Sequence, residues 1–213
     1  MENKIQGTEI WSVNYQARSI LGNDETRWIT TITGDIIACD DDGEERLAGR
    51  VKYYRIHAND AMDNGYRPED ILDLTSNTAH FLGTIFNSGG CFFRRKIQNL
   101  FDAEILNSDL LLVDRIEILP PFRGKNFFLQ VINDGIRCIG GQVELIALKA
   151  FPLQFELPSE DEEYIRWQEK MANDLFCQDQ KKALRRLTHY YQKMGFIKVS
   201  DTGVMVKPVA QFW

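Results

Sequence analysis

The chain of 213 residues is short of the residue groupings that metals, disulfides and covalent catalysis require. Its four cysteines, Cys39, Cys91, Cys138 and Cys177, contain no C-x-x-C pair, which argues against a disulfide framework or a zinc site and for simple thiols. The three histidines, His57, His80 and His189, share no i,i+4 spacing and no H-E-x-x-H, so no structural metal is expected. Neither a G-x-S-x-G elbow nor a G-x-x-x-x-G-K-[ST] loop occurs, which removes the usual hydrolase and nucleoside-triphosphatase readings. No apolar run approaches the roughly 20 residues of a membrane span. Met1-Glu2-Asn3-Lys4-Ile5-Gln6 lacks the apolar stretch of a secretory signal. Positive charge is scarce too: 25 Lys and Arg face 31 Asp and Glu, a net charge of −6, whereas nucleic-acid binders usually carry a basic domain. The expectation is a cytoplasmic globular protein that engages neither membrane nor nucleic acid.

What is present suits a packed core. Hydrophobic residues make up 44% and aromatics 11%, too apolar for disorder. Residues 1–26 are polar and weakly patterned, with Trp11 and Ile20-Leu21 as anchors. Trp28 to Cys39 and Leu47 to His57 flank the turn Asp40-Asp41-Asp42-Gly43-Glu44, which predicts a β-hairpin. Asn59 to Gly65 reads as a polar loop. Pro68 with Glu69 and Asp70 suits a first helical turn, predicting a helix to about Phe86, stopped by Ser88-Gly89-Gly90. A shorter helix is expected over Phe92 to Leu100.

From Asp109 onward the pattern is clearer. Leu110 to Leu119 is almost continuously apolar, as in a strand covered on both faces, and Pro120-Pro121 ends it. Phe127, Phe128, Val131, Ile132, Ile136 and Ile139 keep helical spacing, Gly140-Gly141 stops them, and Val143 to Ala150 reads as a second buried strand. Strand, helix, strand within some 40 residues implies a parallel pair. Ser159 to Glu162 forms a capping box opening a helix to about Phe176, and a further helix spans Gln180 to Met194. Phe196 to Ser200 and Val204 to Val209 make a closing hairpin around Asp201-Thr202-Gly203. The expected fold class is α/β, one domain around a mixed, twisted sheet flanked by helices.

Two segments carry a resemblance. Ile118-Leu119-Pro120-Pro121-Phe122-Arg123-Gly124-Lys125-Asn126-Phe127-Phe128 resembles the V-x-P-x-[YF]-R-G-x-G-x-[GA] strand-turn-helix of the GNAT family of N-acetyltransferases. Ala183 to Phe196, ending His189-Tyr190-Tyr191-Gln192-Lys193-Met194-Gly195-Phe196, resembles that family's A-x-x-x-Y-x-K-x-G-F helix and strand. The likeness covers residues 105–213; residues 1–104 diverge, and 151–180 form a helical insert. Asn126 and Phe128 stand where the family has glycine and glycine or alanine. The resemblance implies an acyl-CoA N-acyltransferase fold, acetyl-CoA or another acyl-CoA as co-substrate, and a small-molecule or peptide amine as acceptor. A homodimer is left open.

A strand-to-helix turn leaves helical N–H groups unpaired, and with the helix dipole they attract anions. Arg123 and Lys125 add positive charge there; the plain alternative is a Pro-capped helix with solvated basic residues. By the resemblance, Ile116 and Ile118 would offer backbone groups to the pantetheine arm, and Arg123, Gly124, Lys125, Asn126, Phe127 and Phe128 would cradle pyrophosphate. Tyr191, four residues before Gly195, would protonate the leaving thiolate, with Tyr190 as fallback. Leu184, Leu187, Tyr191 and Met194 share one helical face, so Tyr191 also reads as a core residue. Asp114 and Glu117 are carboxylates in an apolar strand, costly unless paired or functional. Asp114 would be general base or amine recogniser, or else the partner of Arg115 or another cation. Glu117 would act on the substrate side; three apart, the two face opposite sides unless a bulge intervenes. Lys181, Lys182, Arg185, Arg186 and His189 would attract phosphate or form a solvated face. The rival function is a non-catalytic CoA-binding sensor or interaction module. Acyl-homoserine-lactone synthesis ranks below both, for want of a matching motif.

Overall fold

The computed structural model describes residues 9–22, 25–87, 93–101, 105 and 107–212. The helix stop at Ser88-Gly89-Gly90, Cys91 and Phe92 lie outside the described residues. Seven strands, β1 (Glu9–Arg18), β2 (Ile29–Cys39), β3 (Glu45–Ile56), β4 (Leu110–Ile118), β5 (Leu145–Lys149), β6 (Ile197–Lys198) and β7 (Val204–Pro208), form one sheet in the order β1-β2-β3-β4-β5-β7-β6. Only β4 and β5 run parallel, as the strand-helix-strand pattern predicts; the other neighbours are antiparallel.

Helices cover both faces. The first half supplies α1 (Ala58–Asp63), α2 (Pro68–Leu72), α3 (Ser76–Ala79) and α4 (Arg95–Gln98), and the apolar residues of α1, α2 and α4 pack with Tyr54, Ile56, Leu110 and Leu112. On the opposite face α5 (Phe127–Gly135) packs Phe127, Phe128, Val131 and Ile132 on Tyr53, Leu111 and Val113. Leu110–Val113 is therefore buried on both sides, which explains its unbroken apolar run. The remaining helices are α6 (Glu162–Met171) and α7 (Gln180–Lys193), each capped by an aspartate, Asp161 and Asp179.

Four expectations need correction. Residues 9–18 form a strand, and neither Trp11 (68% exposed) nor Leu21 (96%) anchors anything. Asn59 to Gly65 is largely helical, as α1. The helix expected from Pro68 to Phe86 breaks after Leu72, because the Thr78 hydroxyl donates to the Leu72 carbonyl at 2.7 Å and Thr75 recaps the chain by accepting from the Thr78 amide at 3.1 Å. Ser and Thr hydroxyls compete in this way with helical backbone bonding. The cap of α6 is Asp161, not a Ser159–Glu162 box, and the helix ends at Met171, before a left-handed Ala172, instead of running to Phe176.

The β3–β4 ladder depends on one glycine. A Cβ at Gly49 would stand 2.1 Å from the Glu117 carbonyl oxygen, so the strands approach more closely than any side chain allows. Gly49→Ala is expected to lower the unfolding free energy by about 1–3 kcal/mol, the usual cost of forced overpacking. Urea denaturation checks this, and an unchanged midpoint would mean that the ladder relaxes freely.

Candidate functional site

The ladder between β4 and β5 ends at Val113 and Leu148, while β4 continues to Ile118. Beyond that point the two strands part. On the β3 side, Lys52 pairs with Arg115 and Tyr53 with Val113, so Asp114 is the extra residue of a β-bulge. The bulge resets the alternation and gathers Asp114, Arg115 and Glu117 into one charged cluster instead of dividing the carboxylates between faces. The Leu119 amide donates to the Ala48 carbonyl at 2.8 Å. By alternation the backbone groups of Ile116 and Ile118 then face away from β3, toward the gap.

Two cavities meet at this gap. One, of about 470 Å³, is lined by Ile116, Ile118 and the turn Arg123, Gly124, Asn126, Phe127 and Phe128, and also by Arg186 and Tyr191. The other, of about 500 Å³, is lined by Asp114, Arg115, His80, Lys149 and Glu156 among others. Ile116, Phe128, Phe151, Leu153 and Tyr191 border both, so the two cavities adjoin beside the parting strands.

The turn before α5 bends through two left-handed residues, Gly124 (φ +80°) and Asn126 (φ 58°). Asparagine tolerates that geometry, so the turn bends at position 126 without a glycine there. No side chain caps α5, in contrast to α6 and α7. The amides of Gly124, Asn126 and Phe127 bond no backbone carbonyl elsewhere among the described residues. Phe128 lies in the core, its ring 5.1 Å from that of Tyr191 between centroids.

The Arg123 side chain, expected to meet phosphate, is engaged within the protein. Its Nε donates to the Ile118 carbonyl at 2.8 Å, its Nη2 donates to the Met171 carbonyl, and the guanidinium lies 4.3 Å from the Phe176 ring centroid. Burial lowers its pKa. Arg123 thus ties β4 to the insert, and it occupies the Ile118 carbonyl that the pantetheine reading left free. Lys125 lies outside the cavity lining. Lys181, Lys182, Arg185, Arg186 and His189 on α7 are all exposed, and of these five Arg186 borders the cavity.

Tyr191 packs among Phe128, Tyr190 and Phe196, with ring centroids 5.1 to 6.1 Å away. Burial, with Tyr190 beside it, raises its pKa and keeps the phenol protonated. Tyr190, the fallback, is 37% exposed on the rim of the same cavity.

The two carboxylates differ in their surroundings. Asp114 Oδ2 lies 3.5 Å from Lys52 Nζ and 3.7 Å from Arg115 Nε, the cationic neighbours that were its alternative reading. That oxygen is nevertheless buried without a hydrogen bond. Glu117 is 4% exposed and accepts from Trp167 Nε1 and Gln168 Nε2, both at 3.1 Å. Burial pushes its pKa up, opposed by Arg115 and the two donors. With both oxygens engaged by α6, Glu117 holds the insert to β4. Arg115 does the same at a second point. It grips Glu156 through two nitrogens at 2.7 and 3.3 Å, and Tyr164 donates its hydroxyl to the same carboxylate.

Sequence reasoning missed His80, Lys149 and Arg115 as cavity residues. Their only signal was a charged side chain at or beside the end of an apolar run, which says nothing about what lies opposite. Cys39, Cys138 and Cys177 are free thiols, and no group of three metal-ligating side chains converges among the described residues. Among them, no helix is long and apolar enough to cross a membrane. Comparison with protein-family models, with curated proteins and with solved structures found no match.

Proposed function

We propose that the chain is a GNAT-like N-acyltransferase that moves an acetyl or other acyl group from acyl-CoA to an amine by direct attack. The observation that carries this reading is the pair of adjoining cavities. An uncapped helix-start turn opens onto one, Tyr191 borders both, and the bulged carboxylate Asp114 lines the other. The turn's free amides suit a pyrophosphate, with Arg186 as the nearby cation.

The chemistry needs no covalent enzyme intermediate once both substrates are aligned. The amine nitrogen attacks the thioester carbonyl carbon, a C–N bond forms, and the C–S bond breaks. Asp114, directly or through water, takes the proton that nitrogen loses, and the departing thiolate takes the Tyr191 proton. Glu117 acts by holding α6 against β4.

One observation favours a second reading, a CoA-binding module without catalysis. Arg123 spends its donors on Ile118 and Met171, which leaves the phosphate turn without its own arginine. Calorimetric titration with acetyl-CoA tests both readings. Saturable binding that coenzyme A displaces is expected, and no heat at millimolar ligand overturns either reading. Binding without turnover on any amine would favour the module.

A further inference from the structure

We infer that the acceptor is an amine that carries its own carboxylate, the class of free amino acids, with Asp114 taking the amine and Lys149 with His80 taking the carboxylate. The inference rests on the acyltransferase reading of the same cavities.

Register places the two ends of this subsite. Asp114 and Lys149 are the residues immediately after Val113 and Leu148, the last pair of the β4–β5 ladder. They therefore face each other across the point where the strands part. Both line the second cavity. Alternation carries Lys149 to the face opposite Leu148, which packs on the α5 side, and Asp114 contacts Lys52 on that same opposite face.

The pairing there is uneven. Arg115 is taken up by Glu156 and Glu117, and Lys52 by Asp114. Among the described residues Lys149 has no carboxylate within ion-pair reach, in a chain with an excess of carboxylates. Its one polar contact is the His80 ring, with Nζ 3.1 Å from Nδ1. An ammonium only donates, so His80 Nδ1 accepts and its proton sits on Nε2. Burial and the neighbouring Lys149 lower the His80 pKa, which keeps the ring in this neutral form. Lys149 and His80 together thus present N–H donors and a positive charge with no carboxylate beside it.

Opposite them, Asp114 lines the same cavity, its Oδ2 closed off against Lys52 and Arg115 at 3.5 and 3.7 Å. A carboxylate on a cavity wall offers its remaining oxygen to a donor on the ligand. An amine satisfies it, and a carboxylate on the same molecule satisfies Lys149. A polyamine meets only one of these two needs and brings a second positive charge to Lys149.

The test compares amino acids with their decarboxylated amines, such as alanine with ethylamine, using acetyl-CoA as donor. Wild type is expected to prefer the amino acid in kcat/KM, and Lys149→Met to reduce that preference at least tenfold, with Lys149→Arg restoring part of it. No preference in the wild type, or a preference that Lys149→Met leaves intact, overturns the inference. Binding of amino acids without acyl donor, followed by ligand-observed NMR on wild type and Lys149→Met, separates the two levels. If acetyl-CoA does not bind, the acyltransferase reading fails. The subsite stands or falls on whether amino-acid binding is present and lost in the variant.

Discussion

Tyr191→Phe is expected to lower kcat by about 100-fold or more, the lower end of what a positioned general acid contributes. Affinity for acetyl-CoA should change by no more than about twofold, since the variant removes no contact with the pyrophosphate end. The split follows from the position of the phenol. The ring packs on Phe128, Tyr190 and Phe196, and phenylalanine keeps that packing. Its hydroxyl has no hydrogen-bond partner among the described residues, so its loss should cost little stability. Steady-state kinetics with calorimetry read the two effects separately, and a thermal melt checks the fold. Unchanged kcat would remove Tyr191 from the mechanism. A fall in affinity equal to the fall in kcat would make it a binding residue.

Trp167→Ala is expected to cost about 3–5 kcal/mol of stability, the range for truncating a buried aromatic residue. Trp167 is 4% exposed, donates to Glu117 at 3.1 Å, and carries the Arg50 guanidinium 4.3 Å from its ring centroid. Truncation opens a cavity and also deprives a buried carboxylate of a donor. Trp167→Phe keeps most of the volume and loses the donor, so it should cost about 1–3 kcal/mol. Chemical denaturation of both variants gives the comparison. A full loss in the phenylalanine variant would put the stabilisation in the hydrogen bond; no loss in either would mean that α6 is not held at this point. Met171 ends α6 and Asn173, Phe176 and Cys177 follow it, and all four line the first cavity, so loosening that helix should also weaken acetyl-CoA binding.

The elements legible in the sequence were those with an uninterrupted period. The β2–β3 hairpin was readable because Asp40 does what aspartate does in turns, its carboxylate accepting from the Asp42 and Glu44 amides at 3.2 and 3.0 Å. α5 and the β4–β5 pair were readable because their apolar faces are continuous. β1 was not, since Trp11 falls between Ile10 and Ser12 at a bulge and throws the alternation out of phase.

The candidate site divides in the same way. Its turn, its uncapped helix and Tyr191 lie on local patterns and could be named. The bulge at Asp114 has no local signal, because it is defined by register against β3. Arg123 also misled: its residue type and place in the turn suggest phosphate, whereas it donates to the Ile118 carbonyl and to the Met171 carbonyl, the latter 48 positions away in the chain. Lys149 becomes notable only through the carboxylates it does not meet. Long-range pairing decides the roles of all three.

The most direct measurement is acyl transfer itself, followed as free thiol released from acetyl-CoA and as the mass of the acceptor. With an amino-acid panel the account predicts thiol release dependent on acceptor, matched by an N-acetyl product of the acceptor. Acetyl-CoA that binds the protein but yields neither thiol nor N-acetyl product with any amine would contradict it.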